Sequence, residues 1–163
     1  EQQKINYLGS GPEASENAFN KQRAKDIFIR NNIRVPKGQL ITLDNINNFL
    51  DTHKEFVIKP VDEGSSVGTL IVRDGKYSRD KIDDLLEMYG EMLGEELING
   101  IEITVPILGN KALPVVAIFP PENEEFDLEN KYNGKTQETC PVPENVLTME
   151  LQEQAMQIAE IQS

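Results

Sequence analysis

The sequence predicts an α+β fold, in which amphipathic helices are interleaved with antiparallel hairpins. Three observations carry this. Two pairs of β-type runs, "EFVIKP" with "VGTLIVRDG" and "IEITVPIL" with "ALPVVAIF", are each joined by turn residues rather than by a crossover helix. Helical periodicity marks "RDKIDDLLEMYGE" and "VLTMELQEQAMQIAEIQS" between and after them. The length, 163 residues, allows one domain with a proper core or two small lobes.

Taken in order, "SGPEASENAFNKQRAKDIFIRNNIRVP" opens with cap-type Ser10, Pro12 and Glu13 and runs as a helix until Pro36 forbids it. Ala18, Phe19, Ile27 and Phe28 form its apolar stripe, and Lys21 and Lys25 lie one turn apart on its flank. "GQLITL" reads as a short strand and "DNINNFLDTH" as a short helix capped by Asp44. "EFVIKP" is a strand ended by Pro60, and "VGTLIVRDG" returns as its hairpin partner across "VDEGSS". Ser78 caps the next helix, whose Ile82, Leu85, Leu86 and Tyr89 recur at helical spacing. "GNK" turns the second hairpin, and from Pro120 to Asn145 the pattern dissolves into a long loop, a length usually kept for function. The last helix is expected to present Leu151, Ala155 and Ile158 on one face.

Composition excludes several classes. Sixteen basic against twenty-eight acidic side chains give a net charge of −12, which argues against a nucleic-acid or anionic-membrane surface. Cys140 is the only cysteine, so there is no disulfide framework or cysteine-rich zinc site, and a reducing, cytoplasmic setting fits. His53 is the only histidine and lies in the charged stretch "DTHKEF"; neither it nor Cys140 is given a role. No apolar run approaches a membrane span, and "EQQKINYLGSG" has no signal pattern; its start on glutamate hints at an excised piece.

The chemistry gathers at a few positions. Lys59 ends an apolar strand, where its amine is partly desolvated and a phosphate is a natural partner. In "EGSSVG", Gly64 and Gly68 let the backbone approach a ligand, while Ser65, Ser66 and nearby N–H groups can donate to oxyanions; an ordinary hairpin tip has the same composition. "GSGPEA", Gly9 to Ala14, satisfies G-x-G-x-x-A, but the hairpins after it do not supply the β-α-β unit of a dinucleotide site. Glu95, Glu96 and Glu102 are acceptors suited to ribose hydroxyls and an adenine amino group. In the long loop, Lys131 can reach a phosphate and the Tyr132 hydroxyl can orient a substrate.

In order along the chain, "YLGSGPEAS", "FNKQRAK", "VIKPVDEGSSVG", "ELINGIEITVPILGN", "ALPVVAIFP" and "FDLENKYNGKTQETCP" resemble the central part of the D-alanine:D-alanine ligase family, which has the ATP-grasp fold. The resemblance implies a nucleotide held between two α+β lobes. It assigns residues 1–20 to a linker and the start of the first helix, 21–100 to a central ATP-binding lobe, and 101–163 to the beginning of a C-terminal lobe that carries the long loop. It places Lys21 and Lys59 on the nucleotide phosphates, with Glu63 and Ser66 in the loop covering the terminal one. Glu95 would take the adenine amino group, Glu96 and the Ile98 N–H would lie against the base, and Glu102 would take the ribose hydroxyls. The catalytic group would be Lys131 on the transferred phosphate, with Ser65 and Tyr132 closing the loop over the substrates.

The implied reaction joins two D-alanines through an acyl phosphate at the expense of ATP, in the making of peptidoglycan precursors, with Mg2+ or Mn2+, and the resemblance is compatible with a homodimer of the full-length enzyme. No nucleic acid or membrane is implied. Glu96 stands where many relatives have lysine, Leu97 where an aromatic is common, and Phe126 and Leu128 where tyrosines are frequent. The family's N-terminal domain would precede Glu1, and its metal ligands would follow Ser163. This chain alone is therefore expected to bind nucleotide weakly and not to ligate. The rival readings are a non-catalytic nucleotide-binding or interaction module and another ATP-grasp carboxylate-amine ligase.

Overall fold

The computed structural model describes residues 9–121 and 128–161. Its first part splits the helix expected after Ser10 in two, α1 (Pro12–Phe19) and α2 (Lys21–Arg30). Asn20 is the cause. Its extended backbone ends α1, its N–H donating to Glu16 O at 3.1 Å, and its side chain caps α2 by accepting from the Arg23 N–H at 2.9 Å. The short helix α3 (Ile46–Thr52) follows β1 (Gly38–Ile41), and its cap position falls on Asn45 rather than the expected Asp44. Asn45 spends its side chain on the preceding turn, accepting from the Thr42 N–H and donating to Leu40 O.

The hairpin of β2 (Phe56–Pro60) and β3 (Leu70–Val72) forms with Phe56 opposite Val72 and Ile58 opposite Leu70. Helix α4 (Arg79–Tyr89) follows, with Ser78 accepting from the Lys81 N–H as its cap. Sequence reasoning missed β4 (Met92–Glu96), which is one of the two inner strands of an antiparallel sheet ordered β1-β4-β2-β3. A glycine and two glutamates disguise it. Gly94 is required there, because a Cβ would lie 2.9 Å from Phe49 and 3.2 Å from Ile41.

Alternation along β2 decides what this sheet does. Phe56, Ile58 and Pro60 are buried, and Phe56 and Ile58 pack with Ile41, Ile46, Phe49, Val72, Ile82, Leu86 and Met92 in the main core. Each such side chain contributes about 1.5 to 3 kcal/mol on burial. Val57 and Lys59 project from the other face.

The second expected hairpin forms as two short ladders. Strand β5 (Glu102–Thr104) pairs with β8 (Val116–Phe119), and beyond Pro106 and Pro114 β6 (Ile107–Leu108) pairs with β7 (Lys111–Ala112). The described part of the long loop holds regular structure that its composition does not suggest. It contains α5 (Leu128–Tyr132) and β9 (Gln137–Thr139), which joins the sheet beside β8. Helix α6 (Met149–Ile161) covers this sheet with a different face from the one expected. Ala155 and Met156 pack on the core of Val115, Ala117 and Val142, whereas Leu151 and Ile158 are exposed. Gln152 rotates the helix, since its buried amide donates to Val142 O at 3.0 Å and Leu147 O at 2.8 Å.

Candidate functional site

A cleft of about 470 Å3 opens beside the β2–β3 hairpin. Val57, Lys59, Thr69 and Ile71 line it from the hairpin, Ala18, Phe19 and Lys21 from the helices, and Glu63, Gly64, Ser65 and Ser66 from the connecting loop. Glu102 and Lys131 reach it from the second half of the chain. A second cleft of about 380 Å3 shares Ile71 and Glu102 with the first and is otherwise lined by Arg73 and residues 97–101. Ile98, exposed at its edge, belongs to this second cleft. Arg73 donates to Asn99 Oδ1 at 2.7 Å and ties the two sides together.

The loop between β2 and β3, residues 61–69, is shaped by its backbone. Ser65 and Ser66 have φ of 50° and 61°, both in the left-handed region that costs roughly 1 to 2 kcal/mol per non-glycine residue. Gly68, at φ 68°, has no such freedom to be replaced: a Cβ would lie 2.7 Å from Pro60 and 2.8 Å from Tyr89. Bonds from Val67 N–H to Gly64 O and from Thr69 N–H to Ser66 O complete two turns in succession.

This folding brings the loop to α5. The Lys131 ammonium donates to Ser66 Oγ at 3.0 Å, and the Ser65 and Tyr132 hydroxyls share a hydrogen bond of 2.8 Å. Sequence separations of 65 and 67 residues are thereby closed at one edge of the cleft. Asn130, just before them, is buried and organises the turn that follows, with its carbonyl accepting from the Thr136 hydroxyl at 2.7 Å.

The amines at the opposite edge are charged against one another. Lys21 donates to Glu63 O, and its pKa is lowered from the ordinary value of 10.5. Burial is the main cause, the nearby Lys59 adds to it, and Asp62 and Glu63 partly offset both. Lys59 pairs with Glu95 Oε2 at 2.6 Å. The other carboxylate oxygen of Glu95 accepts from Lys25 at 2.6 Å, and Lys25 also donates to Pro36 O at 2.5 Å. Glu95 is 4% exposed and Lys25 8%. The carboxylate expected at the adenine amino group thus lies beneath the cleft, between two lysines. Glu96 also points away, accepting from the Lys37 N–H at 2.8 Å.

Lys21, Lys59, Glu63, Ser65, Ser66, Glu102 and Lys131 are therefore brought to one cleft. Tyr132 stands at its edge through Ser65. Sequence reasoning missed Lys25, which reads as one more solvated lysine on a helix flank. It also missed Val57, Thr69 and Ile71, although the alternation of two strands carries their signal. Among the described residues no three His, Cys, Asp or Glu side chains are grouped to hold a metal. Cys140 is exposed, and His53 stacks on Phe49 at 4.3 Å, both outside the cleft. Phe126 lies outside the described residues.

Solved structures share this architecture. The crystal structure of D-alanine–D-alanine ligase from Bacillus anthracis superposes with a TM-score of 0.72 at 27% identity, covering 99% of this chain and 53% of that one. The ATP-grasp ligase PsnB superposes at 0.59 with 17% identity over 93% of this chain and 46% of that one, a likeness of fold alone. The fold is of the ATP-grasp class. A family model, "D-ala D-ala ligase C-terminus", matches residues 45–162. The chain belongs to the D-alanine:D-alanine ligase family. A D-alanine–D-alanine ligase from Zymomonas mobilis is 34% identical over 160 residues, 95% of this chain and 49% of that protein. One from Methylorubrum extorquens is 37% identical over 133 residues, 80% of this chain and 43% of that protein. The chain spans about half the length of the curated relatives it matches.

Proposed function

We propose that this chain is the nucleotide-binding part of an ATP-dependent D-alanine:D-alanine ligase that makes peptidoglycan precursors in the cytoplasm, and that on its own it binds nucleotide without ligating. The observation that carries this reading is the convergence of Lys21, Lys59 and Lys131 with the Ser65–Ser66 loop on one cleft. Three amines and a turn rich in donors suit a polyphosphate. The neighbouring cleft of Ile71, Leu97, Ile98 and Glu102 supplies an apolar wall and an acceptor, which suit a base and a ribose.

ATP would transfer its terminal phosphoryl group to one D-alanine carboxylate and leave as ADP, and the amine of the second would attack the acyl carbon, forming the amide as inorganic phosphate and a proton leave. The chain's own part is positioning and charge neutralisation. Lys21 and Lys59 would fix the phosphate chain from the hairpin side. Lys131, through Ser66, would carry positive charge to the transferred phosphoryl group. The Ser65–Tyr132 bond would hold the loop down and keep water from an acyl phosphate that hydrolyses readily. Magnesium or manganese would accompany the nucleotide, on ligands outside the described residues, and no step here is assigned to it.

Titrating ATP into the chain by calorimetry tests this. Saturable binding is expected, weakened about tenfold or more by Lys59→Met, the factor for one charge-assisted hydrogen bond. No phosphate should be released on adding D-alanine. Absence of ATP binding, or phosphate release that depends on D-alanine, contradicts the reading.

A further inference from the structure

The charge count under the cleft is unusual. Glu95 is buried and cannot stand without a cation, since an unpaired buried carboxylate is strongly disfavoured. Two ammonium groups face it, one on each oxygen at 2.6 Å. Their settings differ. The Lys25 side chain is 10% exposed and is tied down a second time by Pro36 O, whereas the Lys59 side chain is 28% exposed and lines the cleft. One carboxylate between two ammonium groups leaves one positive charge over, and only Lys59 can present it to a ligand.

We infer that Lys25 is a positioning residue that neutralises Glu95 from below and so leaves the charge of Lys59 free for the nucleotide. This rests on the reading of the cleft as a nucleotide site. Without Lys25, the carboxylate of Glu95 would claim Lys59 alone, and a phosphate approaching Lys59 would meet a neutral pair. The bond to Pro36 O matters because it fixes the ammonium in place before any ligand arrives.

The test is ATP affinity measured by calorimetry on the chain and its variants at one ionic strength. Lys25→Met should weaken binding about tenfold, and Lys25→Arg, which keeps the charge, should recover most of it. Adding Glu95→Gln to Lys25→Met should also restore much of the loss, because the claim on Lys59 is removed with the carboxylate. A merely structural lysine predicts the opposite, a double variant at least as poor as the single one. Residue-resolved amine labelling of the unmodified chain needs no variant to fold. ATP should protect Lys59, while Lys25 stays unlabelled with or without it. Unaltered ATP affinity in Lys25→Met, no gain in the double variant, or ready labelling of Lys25 overturns the inference. Failure of the unmodified chain to bind ATP overturns instead the nucleotide reading beneath it.

Discussion

The floor of the cleft, Lys59 on its buried partner Glu95, is held by ion pairs, with Lys25 of α2 on the far side of that carboxylate, whereas the serines of the cleft's loop are held by hydroxyl and ammonium contacts. Glu95 is 4% exposed and Tyr132 is 72% exposed, so the two sets of bonds work in different dielectrics. The floor lies on β2 and β4, which share five paired positions, and cannot move without breaking the sheet. The loop contacts join two connections and can part at little cost. In the nucleotide site proposed above, the charge of Lys59 is fixed in advance and the covering loop can part from Lys131 and Tyr132.

Three variants probe that contrast. Glu95→Leu strikes the floor and should cost about 3 to 5 kcal/mol, because it strands two lysines, one of them buried. Urea unfolding measures it, and a loss below about 1 kcal/mol would show that the floor is not held by charge. Tyr132→Phe strikes the loop and should change stability by less than about 0.5 kcal/mol, since it removes one exposed hydrogen bond. Limited proteolysis should nevertheless cut faster within residues 61–69; unchanged cutting means the bond does not hold the loop.

The smallest effect concerns Lys21. Its folded pKa is lowered, so the unfolded chain binds its proton more tightly and the charged lysine weighs against folding at neutral pH. That burden is relieved as pH rises through the folded pKa, and none remains above the unfolded value of 10.5. Lys21→Met should therefore flatten the rise in stability across that range, with urea midpoints compared at each pH. An identical slope in both proteins would remove the case for a desolvated Lys21.

Where local signals and tertiary demands agree, the sequence was readable. The alternation of "EFVIKP" and the turn residues after it yield the first hairpin and point Lys59 into the cleft. They disagree at "MLGEE", where Gly94 weakens the strand signal and is present only because Phe49 and Ile41 leave no room for a Cβ. Helix α6 fails for a similar reason: Gln152 is polar by composition but buried by its two carbonyl partners, which turns Leu151 outward. The site residues were legible largely through the resemblance to a family. Their partners were not, because nothing in a linear pattern says that Lys25 and Glu95, 70 residues apart, form one ion pair.

The order β1-β4-β2-β3 also has a consequence in time. Strand β4 is the last of the four along the chain yet lies between two that precede it, so neither of the pairings it makes can close until residues 92–96 have left the ribosome. Glu95 arrives on that strand. Pairing of Lys25 and Lys59 with Glu95 and completion of this sheet are then one event, and a chain that fails to insert β4 also fails to bring these charges together.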